Sequence, residues 1–190
     1  VKEERIEQRL QKAFVRVTIM AAVAAVVALV ALIVTSNRYT YALTMHGFSQ
    51  GDIGNAMAAF ADARSSTRAV IAYADEEFVK INTTSHEENK EKFEKYFAKM
   101  EKSIVTGEGR EVYEHMQGEL DEYWELDEDI LALGSDIHSE ENRAKAQTKA
   151  ANELAPMFNE VYGDLTSLME IKVEAGNSVD TTLKILTIVM

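Results

Sequence analysis

The apolar and polar positions divide the chain into one membrane-type run and a series of amphipathic segments. Residues 17–37 are 21 consecutive uncharged residues, and their centre, IMAAVAAVVALVALIV, is almost wholly aliphatic. At 1.5 Å per residue such a helix covers about 30 Å, the thickness of a bilayer's hydrocarbon core. With no water to satisfy its main chain there, the run must be helical. A cleaved signal peptide is the competing reading. Such peptides have apolar cores of about 7–15 residues before a cleavage site, whereas this run is longer and leads directly into helical sequence. The spacing therefore predicts a membrane helix over 17–37.

After this run the apolar positions recur at helical intervals, with no sustained alternation that would mark strands. In the first segment Ile53, Met57, Phe60, Ile71, Ala74, Phe78 and Ile81 follow four-three spacing, as in a bundle or coiled coil. The polar cluster Asn82-Thr83-Thr84-Ser85 is expected to end this helix. Ser85 with Glu88 reads as a capping box that starts the next. Phe93, Phe97, Met100 and Ile104 form the second stripe, with Gly107 and Gly109 as its stop. Tyr113, Met116, Leu120, Tyr123 and Ile130 form the third, which Gly134-Ser135-Asp136 breaks. Ser139 is placed to cap the fourth helix. There Ala151, Leu154, Phe158, Val161, Leu165, Leu168, Ala175 and Val179 share one heptad frame, interrupted by Lys172. Residues 183–190 turn aliphatic again and are expected to begin a second membrane helix. The fold class predicted is all-α: a transmembrane helix followed by an antiparallel up-down-up-down four-helix bundle with long first and last helices. The expected divisions are a cytoplasmic tail at 1–16, the membrane helix at 17–37, the bundle at 38–182 and the second membrane helix from 183.

Charge orients this arrangement. Lys2, Arg5, Arg9, Lys12 and Arg16 precede the apolar run, and beyond it Arg38 is the only lysine or arginine before Arg64. Basic flanks stay in the cytoplasm, so the bundle is expected on the outer side of the cell membrane. Residues 35–182 hold 29 acidic and 14 basic side chains, which disfavours nucleic acid as a partner. The chain has no cysteine, hence no thiolate chemistry or disulfide framework. No phosphate-binding loop, dinucleotide fingerprint, nucleophile elbow or HExxH motif is present. His46, His86, His115 and His138 are scattered, without close ligand spacing to carboxylates. Neither an enzyme active site, nor a metal site, nor a cofactor is expected, and acidic pairs such as Asp127/Asp129 read as part of an acidic helix.

Three residues break the local rules. The first seam, extended through its gap, places Arg64 and Thr67 on the buried side, and Arg68 lies one turn beyond Arg64. A guanidinium in such a place needs an anion. That anion is either an internal carboxylate, with snorkelling to the surface as a further possibility, or a small ligand at a helix or subunit interface. Pro156 is expected to kink the fourth helix by crowding the Asn152 carbonyl. Gly47 and Gly51 share a face, where they allow close helix approach or mark a local distortion.

The stretches YALTMHGFSQGDIGNAMAAFADARSSTRAVIAY and ANELAPMFNEVYGDLTSLMEIKVEAGNSV resemble the first and last bundle helices of the methyl-accepting chemotaxis proteins. The resemblance covers the whole chain through diffuse motifs, and similar bundles occur in sensor histidine kinases. It implies a homodimeric chemoreceptor sensory region that detects a small extracellular molecule, with anions as candidates. A shift of the last helix against the first would pass the signal to a cytoplasmic domain, a coupling protein and a histidine kinase. In the amino-acid-binding members, arginines in the distal first helix grip a ligand carboxylate. The candidate ligand residues here are Arg64, Thr67 and Arg68, with two arginines where that pattern has three. The alternatives are the same module on a sensor histidine kinase or cyclic-nucleotide enzyme, or a membrane-anchored structural bundle without signalling.

Overall fold

The computed structural model describes the backbone of residues 6–189 and the side chains of residues 6–179. The described residues are helical throughout, with short links and no strand. They fall into two units, one made of the chain up to Ala42 together with the chain from Val179, the other of Leu43–Ser178.

In the first unit, α1 (Ile6–Ala42) contains the aliphatic run. Among the described residues it lies in the one helical stretch long and apolar enough to cross a membrane. None of its described side chains is buried. The aliphatic stretch expected at residues 183–190 lies outside the residues whose side chains are described.

The second unit is a four-helix bundle. A five-residue π-helical turn, Leu43–Gly47, leads into α2 (Phe48–Ala72). It is followed by α3 (Glu76–Glu101), α4 (Gly107–Ser135) and a last arm. That arm comprises α5 (Glu140–Lys149), a second π-turn (Ala150–Leu154) and α6 (Ala155–Val189), which belongs to this unit as far as Ser178. The four arms meet at Phe60, which is fully buried. Its ring stacks on Phe158 of α6 at 4.8 Å and lies 5.1 Å from Phe93 of α3. Tyr123 and Trp124 of α4 are 4.7 and 5.6 Å away. Each buried aromatic removes a large apolar area from water, and tilted or offset contacts of this kind add a modest gain beyond burial.

Two expectations are corrected. The first bundle helix stops at Ala72, not near Ile81. Tyr73 and Asp75 are extended, and Asp75 caps α3 by accepting from the Phe78 N–H at 2.9 Å. Glu76 and Glu77 occupy the first turn, where acidic side chains suit the helix dipole. Ser85 is therefore in mid-helix, and Phe78 and Ile81, expected on the buried seam, are 47% and 58% exposed. Gly107 starts α4 rather than ending α3, because Thr106 accepts from the Gly109 N–H at 3.1 Å. Around Pro156 the strain is absorbed by the second π-turn, in which the Ala155 N–H reaches back five residues to the Ala150 carbonyl. A widened turn relieves the crowding that a proline imposes on the preceding carbonyls.

Other expectations hold. Asp136 ends α4, and Ser139 caps α5 by accepting from the Asn142 N–H. Tyr113, Met116, Leu120, Tyr123 and Ile130 are all buried. Gly47 closes the first π-turn, which is the local-distortion reading of that glycine. Gly134 allows a close approach within the chain, since an added Cβ there would stand 3.2 Å from Ile71 Cγ1.

Candidate functional site

Arg64, Thr67 and Arg68 occupy consecutive turns of α2 and border one open pocket of about 330 Å³. Its far wall is Gln147, Ala150, Ala151, Leu154 and Ala155, which is the second π-turn and its flanks. The turn forced by Pro156 thus forms one side of the pocket and the arginines the other. Ile71 and Ala72 close the end. There Arg143 Nη2 lies 3.3 Å from each of their carbonyls and neutralises the C-terminus of α2.

The three residues play different parts. Arg64 is half-buried, with its guanidinium carbon 4.0 Å above the Phe158 ring, a cation–π contact. Arg68 is exposed. Among the described residues neither arginine forms an ion pair with a carboxylate, so the internal-carboxylate alternative is not realised there. Burial pulls the Arg64 pKa down from its ordinary value, and the charge of Arg68 acts in the same direction against the influence of Tyr123. The guanidinium nonetheless remains charged. Two cations one turn apart, without a carboxylate, make the pocket electropositive within a strongly acidic bundle.

Thr67 contributes to the pocket wall, but its hydroxyl points to the core. It lies 2.8 Å from Asp127 Oδ1, and the other oxygen of Asp127 lies 2.5 Å from His86 Nε2. Asp127 and Thr67 are completely buried and His86 is 2% exposed. This chain of contacts ties α2, α3 and α4 together directly behind the arginine pocket. Beside it, burial holds the Tyr123 phenol far above its ordinary pKa, and the charge of Asp127 adds to that. The Tyr123 hydroxyl has no hydrogen-bond partner among the described residues.

This cluster is not among the sequence expectations, although the chain carries a signal for it. Asp127 falls four residues after Tyr123 and three before Ile130, on the seam of α4. His86 falls seven residues before the buried Phe93. Both are polar residues at core positions of a heptad.

The histidines also require a correction. His115 is close to carboxylates: Nδ1 lies 2.8 Å from Asp164 Oδ2 and Nε2 lies 3.6 Å from Glu119 Oε1. The hydrogen bond to Asp164 raises the pKa of His115, with the charges of Glu119 and Asp164 adding to it. Burial, followed by neighbouring Glu160, raises that of Glu119. The cluster joins α4 to α6 at the surface.

Comparison with known proteins places the bundle among signal-transduction modules. The chain belongs to the family of four-helix-bundle sensory modules for signal transduction found in chemotaxis receptors, whose family model matches residues 4–184. No curated protein and no solved structure matched the chain.

Proposed function

We propose that this chain is the sensory region of a transmembrane chemoreceptor that binds a small anionic molecule between α2 and the second π-turn. The observation that carries the reading is the pairing of Arg64 and Arg68, neither neutralised by a carboxylate among the described residues, on one wall of an open pocket. Its volume of about 330 Å³ suits a small organic acid or amino acid. Arg64 and Arg68 supply the charge and fork geometry for a carboxylate. Thr67 shapes the wall and couples it to the Asp127–His86 pair.

The same reading assigns the topology. Residues 1–16 are cytoplasmic, 17–37 span the membrane, 38–182 are the external sensor, and a second span begins at 183. Two copies form the working receptor. Its cytoplasmic signalling part acts with a coupling protein on a histidine kinase. A ligand touching both α2 and the π-turn favours whichever packing of α6 lets it touch both, and its differential affinity sets the size of the shift. Small displacements of packed helices are the motion open to such a bundle.

A thermal-shift screen of the membrane-reconstituted chain against organic acids and amino acids tests this reading. A hit is expected whose stabilisation is lost in Arg64→Ala and Arg68→Ala. Undiminished stabilisation in both variants would remove the arginine pocket from the account.

A further inference from the structure

Lys172 interrupts the apolar frame of α6, and the structure gives it a separate seat. Its side chain is 4% exposed. Nζ donates to two main-chain carbonyls, that of Met45 at 3.2 Å and that of Ser103 in a closer contact. Both carbonyls stand where regular α-helical bonding is interrupted, one in the first π-turn and one in the link after α3. The Met45 carbonyl is further fixed by Ser49 Oγ, which donates to it at 2.8 Å. Among the described residues Lys172 has no carboxylate partner, so only peptide dipoles balance its charge.

The surroundings offer little else that titrates. The first π-turn presents His46. The link after α3 and the start of α4 present Ile104, Thr106 and Gly109, and α6 itself presents Leu168 and Ile171. Burial lowers the pKa of His46, and the charge of Lys172 lowers it further. His46 is therefore already neutral in the alkaline range where a lysine titrates.

We propose that Lys172 is a proton-operated latch on α6: the seat between the Met45 and Ser103 carbonyls is favoured by the neutral amine, and proton uptake favours a packing in which the side chain reaches water. Burial without a counter-ion disfavours the charged form, and the seated amine has its pKa pushed down to about 8. The seated state thus binds a proton more weakly than a solvated lysine does. By linkage, raising the pH above about 8 closes the latch, by roughly tenfold per unit until the pKa of about 10.4 for a solvated lysine. The consequence for signalling rests on the function proposed above, whereas the pH-dependent packing of α6 does not.

The chain lacks cysteine, so introduced cysteines can carry spin labels at the exposed positions Glu94 of α3 and Glu174 of α6. Distances are read in the full chain reconstituted in nanodiscs and diluted with unlabelled chain. Between pH 7.5 and 9.5 the population with Lys172 seated is expected to gain at least tenfold over its alternative. Lys172→Arg, which keeps its proton throughout, is expected to show no shift, and His46→Gln is expected to shift as the parent does. A parent chain without a shift, an equal shift in Lys172→Arg, or loss of the shift in His46→Gln would each overturn the proposal. The His46→Gln arm still decides the matter if the arginine variant does not fold.

Discussion

Two regions of this bundle bury charge, and they do it differently. Behind the arginine pocket, Asp127 meets His86 and Thr67, so a buried carboxylate is matched by a histidine and a hydroxyl from two other helices. At Lys172 a buried ammonium meets only carbonyls, borrowed from a π-turn and an interhelical link. A matched pair resists change, because removing either partner strands the other. A charge held by dipoles alone leaves its state open to protons. The first region is built to hold three helices in register, and the second to let one helix respond.

The largest expected effect tests the matched region. Asp127→Ala leaves His86 and the Thr67 hydroxyl buried without their acceptor and is expected to cost about 3–5 kcal/mol. Urea unfolding followed by the fluorescence of Trp124, the single tryptophan, measures it. Replacing Asp127 and His86 together by leucine is expected to recover most of that loss. If the double variant is as unstable as the single one, the matched-pair account fails. Thr67→Val removes one hydrogen bond to the carboxylate while His86 remains, and should cost about 1.5–3 kcal/mol.

Lys172→Met is expected to act in the opposite direction, stabilising the bundle by about 1–2 kcal/mol at pH 7, since a poorly compensated buried charge is replaced by an apolar chain. The sign of the pH dependence follows from the lowered pKa. Between about 8, the seated value, and about 10.4 in the unfolded chain, the unfolded state binds more protons. Stability of the parent therefore rises with pH across that window, and the advantage of Lys172→Met shrinks there. A constant advantage from pH 7 to 10 would break the contrast between the two regions.

The smallest effect is at the surface. His115 has a raised pKa through Asp164, so its stabilising contribution is complete below its ordinary value of about 6.5 and disappears as pH rises through the folded value. Asp164→Asn should flatten that part of the stability profile and leave the alkaline limb governed by Lys172 unchanged.

Much of the bundle could be read from spacing alone. The α4 stripe and the Ser139 cap follow from local chemistry, and the structure reproduces them. The α2–α3 break contains neither glycine nor proline, so the usual punctuation does not mark it. Asp75 followed by Glu76 and Glu77 is a capping signal, but the longer polar run Asn82–Ser85 competes with it and draws Phe78 and Ile81 onto the wrong helix. At the site, extending the heptad places Arg64 and Thr67, whereas nothing in the spacing marks the pocket's other wall. It depends on how Pro156 is accommodated, and a π-turn leaves no sequence pattern separate from a kink. Lys172 was visible as a break in a frame, but its acceptors come from segments more than sixty residues away in sequence.

The proposed function depends on Arg64 and Arg68 receiving a small anion. Isothermal titration of the reconstituted chain with the strongest ligand from the screen tests it most directly. Binding is expected to weaken at least tenfold, about 1.4 kcal/mol, in Arg64→Ala and again in Arg68→Ala, with the fold intact by Trp124 fluorescence. Affinity unchanged in both folded variants would contradict it.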